Sequence, residues 1–449
     1  MKARVSRWIA LIVVVSLIPG LLAGCAPVQA PEPATKAPSP APAQATEKPA
    51  ETASPAAPAE ITFWGSWGGD VEKSINVILD KYNATSATKV KYVVQSDIMT
   101  TFATANATGD VPDIMLWDAS EVSKYAQKGV LAPINDKLAG ASINKGDYNS
   151  ECIRELTLDD KLYGLPLNID IWGIYVNLDI IKSLGLSAPT TWDELKEDAI
   201  QATQRDSSGK LIRAGLSMQW FPYEFTSFMV ADGASVLSDD GKTTTVNNDT
   251  GRKVLSLFKG LLDAGVYDIG FESGLSQGED AFLTGRSAMV VWPTSMLRTY
   301  QTYGDKMDFT FAPIPAGPDP GARIGGIQTS FCFVIPAKSK NIDAAFDFMK
   351  FSLHDVSNSI SWCQIVGGLS PLIAAQNDPF FANNKYYANV LSGINGLKIR
   401  PKAPGFIQVE GSVFAPNIQE LFEGTLSIDD CLKNMQTDGD TMLAQYRNE

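Results

Sequence analysis

Residues 61–69 (ITFWGSWGG) and 112–118 (PDIMLWD) decide the fold of this 449-residue chain. The first stretch is a short β run that ends in a glycine-rich turn. The helix predicted after this turn places Val71, Ile75 and Ile78 on one face, at a spacing typical of an amphipathic helix. The second stretch is another apolar β run, and strands and helices continue to alternate after it. This alternation predicts α/β domains with largely parallel sheets.

The N-terminus has the pattern of an export signal. Three basic residues precede an apolar run at residues 8–17, and the sequence LAGC follows at residues 22–25. These four residues resemble the bacterial lipobox, in which the cysteine is lipidated and becomes the new N-terminus. We therefore predict a lipoprotein signal peptide at residues 1–24 and lipidation of Cys25. A plain secretory signal with a chance cysteine is the alternative.

The segment after Cys25 has the composition of a tether. Residues 26–59 consist almost entirely of Pro, Ala, Thr, Ser, Glu, Lys and Gln, which cannot bury enough apolar surface to fold. Residues 25–60 are therefore predicted to be a disordered linker that holds the protein on the outer face of the cell membrane through its lipid only. The formal charge of −13 and the lack of basic runs argue against nucleic acid as a partner.

The chain lacks the sequence patterns of several enzyme classes. His354 is its only histidine, so a His-rich zinc site cannot form and a Ser-His-Asp triad would need this residue. No P-loop motif occurs in the sequence. We predict no metal, no cofactor and no catalytic residue, although paired carboxylates leave a tethered glycoside hydrolase as an alternative.

Four cysteines follow the predicted signal peptide and Cys25. They are Cys152, Cys332, Cys363 and Cys431. Outside the membrane a disulfide is permitted, so the sequence leaves open whether one pair is bridged or all are buried free thiols.

The motifs of the body resemble those of the family 1 extracellular solute-binding proteins of bacterial ABC importers. The resemblance begins with residues 61–69 and 112–118 and covers nearly the whole mature chain. It continues through residues 162–167 (LYGLPL), 173–177 (GIYVN), 189–195 (PTTWDEL), 282–289 (FLTGRSAM) and 325–336. It implies a monomeric, non-enzymatic receptor with a periplasmic-binding-protein-like α/β fold, in which two hinged lobes close on a ligand in their cleft and deliver it to a permease.

The predicted lobes are discontinuous in the sequence. Lobe one is expected to comprise residues 61–170 and 310–350, and lobe two residues 171–309 and 351–449. A folded part of this length is too long for a single hydrophobic core, which also favours two domains.

Tryptophans next to polar side chains predict a carbohydrate ligand. A sugar ring offers an apolar C–H face to an aromatic platform and hydroxyls to Asp, Asn and Gln. The resemblance to oligosaccharide-binding members implies that Trp117 and Trp292 face each other across the cleft and stack on one sugar. The predicted ligand-binding residues are Trp64, Ser66, Trp67, Trp117, Asp118, Asn168, Asp170, Trp172, Trp220, Trp292, Gly325 and Gly326.

Other ligands remain open at this stage. A polyol phosphate would want a cluster of cations, and the candidates Arg213, Arg286 and Arg323 are scattered along the chain. A polyamine would suit the acidic and aromatic composition. The sequence leaves the identity, length and linkage of a sugar open.

Overall fold

The computed structural model describes residues 60–218, 221–271, 280–303, 307–394, 397–401 and 403–448. The predicted signal peptide, Cys25 and the predicted tether up to residue 59 lie outside these residues. Of the helices in the described ranges, none combines the length and apolar character that crossing a membrane requires.

Short strands and helices alternate along the described chain. The strands are β1 (Glu60–Gly65), β2 (Lys89–Val94), β3 (Ile114–Asp118), β4 (Thr157–Leu158), β5 (Lys161–Leu162), β6 (Gly164–Pro166), β7 (Asp170–Asn177), β8 (Gln204–Arg205), β9 (Leu211–Arg213), β10 (Met289–Pro293), β11 (Phe309–Pro313), β12 (Gly326–Thr329), β13 (Phe331–Val334) and β14 (Leu397–Ile399).

The α-helices cover both sheets. They are α1 (Gly69–Thr85), α2 (Ile98–Thr108), α3 (Val122–Gln127), α4 (Asn135–Gly140), α5 (Ser150–Glu155), α6 (Leu178–Ser183), α7 (Trp192–Ala202), α8 (Phe221–Ala231), α9 (Asp249–Asp263), α10 (Leu297–Tyr303), α11 (Ile342–Leu353), α12 (Val356–Val366), α13 (Ile373–Gln376), α14 (Pro379–Asn383), α15 (Tyr387–Gly393), α16 (Phe406–Val409), α17 (Ala415–Phe422) and α18 (Ile428–Asn448). Short 3-10 helices lie at Ala119–Glu121, Lys145–Asp147 and Thr294–Met296, and a π-helical turn lies at Glu410–Phe414.

The first lobe is built on a sheet with the strand order β2-β1-β3-β13-β6. β1, β2 and β3 are parallel, as predicted, and β13 joins them antiparallel from much later in the chain. Asp113 fixes this return because its carboxylate accepts hydrogen bonds from the Thr62 backbone N–H (2.9 Å), the Ser339 hydroxyl (2.8 Å) and the Asn341 amide (3.0 Å). A single buried carboxylate thus joins the first strand to the segment that follows β13.

The second lobe is built around β7, all of whose residues are buried. β7 pairs antiparallel with β10, β11 and β12, and β14 pairs parallel with β12. The second sheet is therefore mainly antiparallel, and the prediction of largely parallel sheets is wrong for this lobe. At Gly173 in β7, an added Cβ would lie 2.5 Å from the carbonyl oxygen of Ala312 in β11, so the pairing requires glycine there.

The structure corrects two parts of the predicted lobe boundaries. β11 and β12 belong to the second sheet, although residues 310–329 were assigned to lobe one. α12 packs in the first lobe, where the Trp362 ring lies 5.2 Å from that of Phe333, although residues from 351 onward were assigned to lobe two. Alternation along the sequence predicts that a strand exists but does not predict which sheet it joins.

Three segments of the described chain meet where the two lobes join, and Asn168, which lies in the segment between β6 and β7, binds the other two. Its Oδ1 accepts from the backbone N–H of Phe331 (3.0 Å), and its Nδ2 donates to the carbonyl oxygen of Gly367 (3.3 Å). Next to it, Ile169 and Leu369 exchange backbone hydrogen bonds of 2.7 and 3.0 Å. Asn168 is completely buried, so its amide joins the three segments at a place that solvent does not reach.

All four cysteines in the described residues, at positions 152, 332, 363 and 431, are free and buried. Of the two alternatives that the sequence left open, the structure therefore has the buried free thiols. Burial raises the pKa of each thiol, which keeps it in the unreactive protonated form.

Replacing Asn168 with Ala should lower the free energy of unfolding by about 2–4 kcal/mol, because two buried backbone groups lose their partner. Asn83→Ala is the matched control, since the Asn83 amide also bridges two backbone atoms, both of Val90, but is half-buried and lies within one lobe. Urea unfolding of both variants checks this. An equal or larger loss in the control would contradict the role of Asn168.

Candidate functional site

A cavity of about 210 Å³ lies between the two lobes, at the ends of the central strands of both sheets. Ends of neighbouring strands are the usual place of ligand sites in open α/β sheets. The cavity is lined by Asp118, Asp170, Trp172, Tyr223, Trp292, Pro293, Ser295, Thr329, Ser330, Phe331 and Arg400.

Aromatic rings of the second lobe stack along one wall of this cavity. The Trp172 and Tyr223 rings are nearly parallel, at 15° with centroids 4.9 Å apart. Trp292 lies on the strand next to Trp172, and its ring centroid is 6.3 Å away at a tilt of 36°. The guanidinium carbon of Arg400 lies 4.5 Å from the centroid of the Tyr223 ring. These four side chains form the aromatic wall, which ends in a cation.

A buried ion pair fixes the position of Arg400. Its Nε donates to Oε2 of Glu410 at 2.7 Å, its Nη2 also contacts this oxygen, and both side chains are 2% exposed. Burial lowers the pKa of Arg400, but the charges of Glu410, Tyr223 and Asp118 and the hydrogen bond to Glu410 together raise it above its ordinary value. Burial raises the pKa of Glu410, and the neighbouring Arg400 opposes this rise. The guanidinium therefore stays charged and in place.

Asp118 supplies the opposite charge from the first lobe. Its carboxylate ends β3 and accepts hydrogen bonds from the backbone N–H (2.9 Å) and the hydroxyl (2.6 Å) of Ser120. Asp118 and Arg400 line the same cavity, and the charge of Asp118 is among the causes that raise the pKa of Arg400, yet the described residues contain no direct ion pair between them. A ligand hydroxyl that accepts from Arg400 and donates to Asp118 would join the lobes.

Asp170 begins β7 and is only 4% exposed. Its Oδ1 accepts from the Thr294 hydroxyl (2.9 Å) and from the Ser295 backbone N–H (2.7 Å). Burial raises the pKa of Asp170 to about 6, and the hydrogen bonds from Thr294 and Ser295 oppose this rise. The group can therefore change its charge near neutral pH while it lines the cavity.

The structure brings together four predicted site residues and separates Trp117 from them. Asp118, Asp170, Trp172 and Trp292 all line the cavity. Trp117 is 3% exposed and packs in the first core, 4.6 Å from the Tyr125 ring. Successive side chains point to opposite faces of a strand, so Asp118 reaches the cavity while Trp117 cannot. The prediction that Trp117 and Trp292 face each other across the cleft is wrong.

Three more predicted site residues have internal roles in the structure. Asn168 uses its amide to join the three segments, as described above. Gly325 pairs with Ile314 through two backbone hydrogen bonds. Gly326 has φ +135°, and a Cβ there would lie 2.9 Å from the carbonyl oxygen of Trp172. The close approach at Gly326 is thus to the neighbouring strand, and neither glycine lines the cavity.

The residues predicted from the first turn lie beside the cavity without lining it. Trp64 packs against the first core, and Ser66 is exposed. The Trp67 ring meets the Phe331 ring edge-to-face at 4.8 Å, and Phe331 itself lines the cavity. Trp220 lies outside the described residues.

Sequence reasoning missed Tyr223, Arg400 and the polar group Ser295, Thr329 and Ser330. Tyr223 lies on α8 and Arg400 follows β14, far from each other in sequence, and neither belongs to a recognisable motif. Ser330 lies in the crossing from β12 to β13, where its hydroxyl donates to Glu155 at 2.5 Å. No local sequence signal identifies Thr329 and Ser330, because the change from a second-lobe strand to a first-lobe strand is visible only in the strand pairing.

Comparison with known proteins identifies related chains. Residues 68–355 match the family model described as bacterial extracellular solute-binding protein. The chain is 24% identical to the maltodextrin-binding protein MdxE of Bacillus subtilis over 313 residues, which cover 67% of this chain and 70% of the relative. It is 22% identical to the maltotriose-binding protein of Pyrococcus abyssi over 367 residues, which cover 80% of this chain and 75% of that protein.

The fold also matches a solved structure over most of its length. The sugar-binding protein MalE from Xanthomonas citri superposes with a TM-score of 0.74 at 18% identity. The match covers 87% of this chain and 98% of that one. The two-lobed α/β architecture is therefore confirmed.

Replacing Asp170 with Asn should remove a pH-dependent loss of stability. Its pKa is about 6 in the folded protein and close to its ordinary value of about 4 in the unfolded chain. The stability from neutral Asp170 is thus fully present below about pH 4 and is lost as the pH rises through about 6. The wild type should lose up to about 3 kcal/mol relative to the variant over this range.

Urea unfolding of both proteins at about pH 4, 5, 6 and 7 measures this difference. Asp240→Asn is a control that should show almost no change over this range, because the hydrogen bond from Lys242 holds the pKa of Asp240 at about 2. Its contribution is present above the ordinary Asp pKa and is lost as the pH falls. A difference between wild type and Asp170→Asn that does not vary with pH would contradict a titrating Asp170.

Proposed function

The chain belongs to the bacterial extracellular solute-binding proteins, and on this basis we propose that it captures a carbohydrate between its lobes for an ABC importer. The ligand is a mono- or oligosaccharide, and the receptor delivers it to the membrane permease as a monomer, without catalysis. Maltodextrin- and maltotriose-binding relatives support this ligand class. The observation that carries the proposal is the aromatic wall opposite Asp118.

The aromatic wall suits the apolar face of a sugar ring. Trp172 and Trp292 are adjacent and line the cavity, so their rings can cover the C–H face of a pyranose. Stacking of this kind orients the sugar with its hydroxyls directed away from the rings. The polar groups around the wall then meet those hydroxyls.

A ligand that contacts both Asp118 and Arg400 would bind the closed state more tightly than the open state. The aromatic wall belongs entirely to the second lobe, while Asp118 projects from the first. A ligand that touched only one lobe would bind the open and closed states equally and would not shift their populations. A hydroxyl shared by Asp118 and Arg400 is bound fully only when the lobes approach each other.

The charge distribution disfavours the alternative ligands. A phosphate would require uncompensated cations, but Arg400 is neutralised by Glu410. Arg213, Arg286 and Arg323 do not line the cavity. A polyamine would need several carboxylates, but of the residues that line the cavity only Asp118 and Asp170 carry one.

We also propose that the protein is a lipoprotein anchored through Cys25. The lipobox-like sequence at residues 22–25 and the composition of residues 26–59 support this proposal. Several acyl chains on one cysteine give stable retention, whereas a single chain binds a membrane only marginally.

Trp292→Ala should weaken sugar binding about ten- to a hundredfold, because it removes a stacking surface from the cavity. A thermal-shift screen with neutral sugars, polyol phosphates and polyamines first identifies a ligand. Titration calorimetry then compares the variants. Trp117→Phe is the matched control, since this tryptophan is packed in the core of the first lobe.

Trp117→Phe should lower the melting temperature without changing affinity. Trp292→Ala should weaken binding without lowering the melting temperature. Loss of binding in Trp117→Phe with normal binding in Trp292→Ala would refute this site. Stabilisation by phosphates or polyamines with no response to any sugar would refute the carbohydrate proposal.

Cys25→Ser should release the protein from the membrane without altering sugar binding, because the anchor precedes the folded residues. Cell fractionation and calorimetry on the released protein check the two parts of this statement. Mass spectrometry that finds an unmodified mature terminus other than Cys25 would contradict it.

A further inference from the structure

A second cavity lies within the second lobe, between α7, α9 and the segment that follows β11. Its volume is about 520 Å³, more than twice that of the cavity between the lobes. Small-molecule sites usually have volumes of about 300–1,000 Å³, so this cavity is large enough to hold a ligand. The two cavities have no lining residue in common.

Hydrogen bonds join the segment after β11 to the start of α7. The Trp192 ring donates through Nε1 to the carbonyl oxygen of Pro315 at 3.1 Å. The Trp192 backbone N–H donates to the carbonyl oxygen of Ala316 at 3.2 Å, and the Ala316 N–H donates to that of Thr190 at 3.0 Å. This part of the cavity wall is therefore fixed by the protein alone.

Asp232 fixes the same segment from the other side. Its Oδ1 accepts from the Asp319 backbone N–H at 2.9 Å, and the Asp319 carboxylate contacts the ammonium of Lys253 on α9. A Cβ added at Gly317 would collide with Asp232 Oδ1, so the chain needs glycine there to pass this close. The cavity is thus formed before any ligand binds, which lowers the ordering cost of binding.

The lining combines apolar surface with positive charge. Trp192 and Leu257 are buried and supply apolar surface on α7 and α9. Asp193 is the one carboxylate among the four charged side chains that line the cavity. The other three are the cations Lys196, Arg252 and Lys253. This local excess of cations contrasts with the formal charge of −13 for the whole chain.

Lys196 is the cation best placed to meet a ligand. Lys253 contacts Asp319, and Nε of Arg252 lies 3.2 Å from Oδ1 of Asp429. Lys196 is exposed and has no ion-pair partner among the residues that the structure describes. Its ammonium extends from α7 to α9, where it lies 3.8 Å from the position of a Cβ added at Gly260. Its N–H donors can therefore serve an anion in the cavity.

We propose that this cavity binds a small organic anion with an apolar body, such as a medium-chain or aromatic carboxylate. The apolar body packs against Trp192 and Leu257, and the carboxylate accepts charge-assisted hydrogen bonds from Lys196 and from the Nη atoms of Arg252. An inorganic anion would leave the apolar surface uncovered, and a neutral ligand would leave Lys196 without a counter-charge. The site is separate from the cavity between the lobes and does not depend on the carbohydrate proposal.

Titration calorimetry of the protein with octanoate, octanol and inorganic phosphate tests both parts of this chemistry. Octanoate should bind at least about tenfold more tightly than octanol, which lacks the charge, and than phosphate, which lacks the apolar body. Lys196→Gln should weaken octanoate binding about three- to tenfold and leave octanol binding unchanged. Lys81→Gln is the matched control, because Lys81 is also exposed on a helix without an ion-pair partner in the described chain but lies on α1 of the first lobe. It should change neither affinity.

Ser256→Phe tests the location without changing any charge. Ser256 lies on an exposed position of α9 and lines the cavity, so a phenyl ring there should fill it and weaken octanoate binding more than about tenfold. Sugar binding should stay unchanged in all three variants, which separates this site from the one between the lobes. Octanoate binding that is absent, that matches phosphate or octanol, or that survives Ser256→Phe would overturn the proposal. Sedimentation of the wild type as a dimer that Ser256→Phe dissociates would assign the cavity to a second copy of the chain and would also overturn it.

Discussion

The two-lobed structure depends on the amide of Asn168. This side chain lies in the segment between β6 and β7, where the lobes join, and hydrogen-bonds to two other segments of the described chain, at Phe331 and Gly367. An amide is suited to this position because it has a donor and an acceptor at the same end, and the groups it meets are one N–H and one C=O. Asn168 is completely buried, and buried backbone groups of this kind need a hydrogen-bond partner within the protein. The hydrogen bonds of the Asn168 amide therefore limit how far one lobe can rotate relative to the other.

The components of the binding site divide unequally between the lobes that Asn168 connects. Trp172, Trp292, Tyr223 and Arg400 all belong to the second lobe and contact one another, so their surface exists before a ligand arrives. The first lobe adds the charge of Asp118. A preformed aromatic surface reduces the ordering cost of the first contact, and the polar contact then depends on closure. In the proposed mechanism the ligand therefore binds first to the second lobe, and the first lobe contacts the bound ligand when the lobes close.

Local sequence patterns predict the elements well but predict long-range neighbours poorly. Residues 61–69 and 112–118 form the predicted strands, and Asp118, Asp170, Trp172 and Trp292 reach the cavity as expected. Trp117 was misplaced because a resemblance between motifs does not reveal which face of a buried strand a side chain occupies. Tyr223 and Arg400 meet only through the packing of α8 against β12 and the pairing of β12 with β14. No local pattern encodes such a contact.

The Arg400–Glu410 ion pair is better explained by its role in positioning the guanidinium than by a contribution to the stability of the protein. Burying two charges costs several kcal/mol of hydration, and a well-packed apolar pair of similar volume is often at least as stable. Glu410 lies in a π-helical turn between α16 and α17, and such turns are uncommon and occur frequently at functional sites. The guanidinium that it holds covers the Tyr223 ring and lines the cavity between the lobes. A neutral replacement of the pair would preserve the packing but would leave Asp118 without a charge facing it across the cleft.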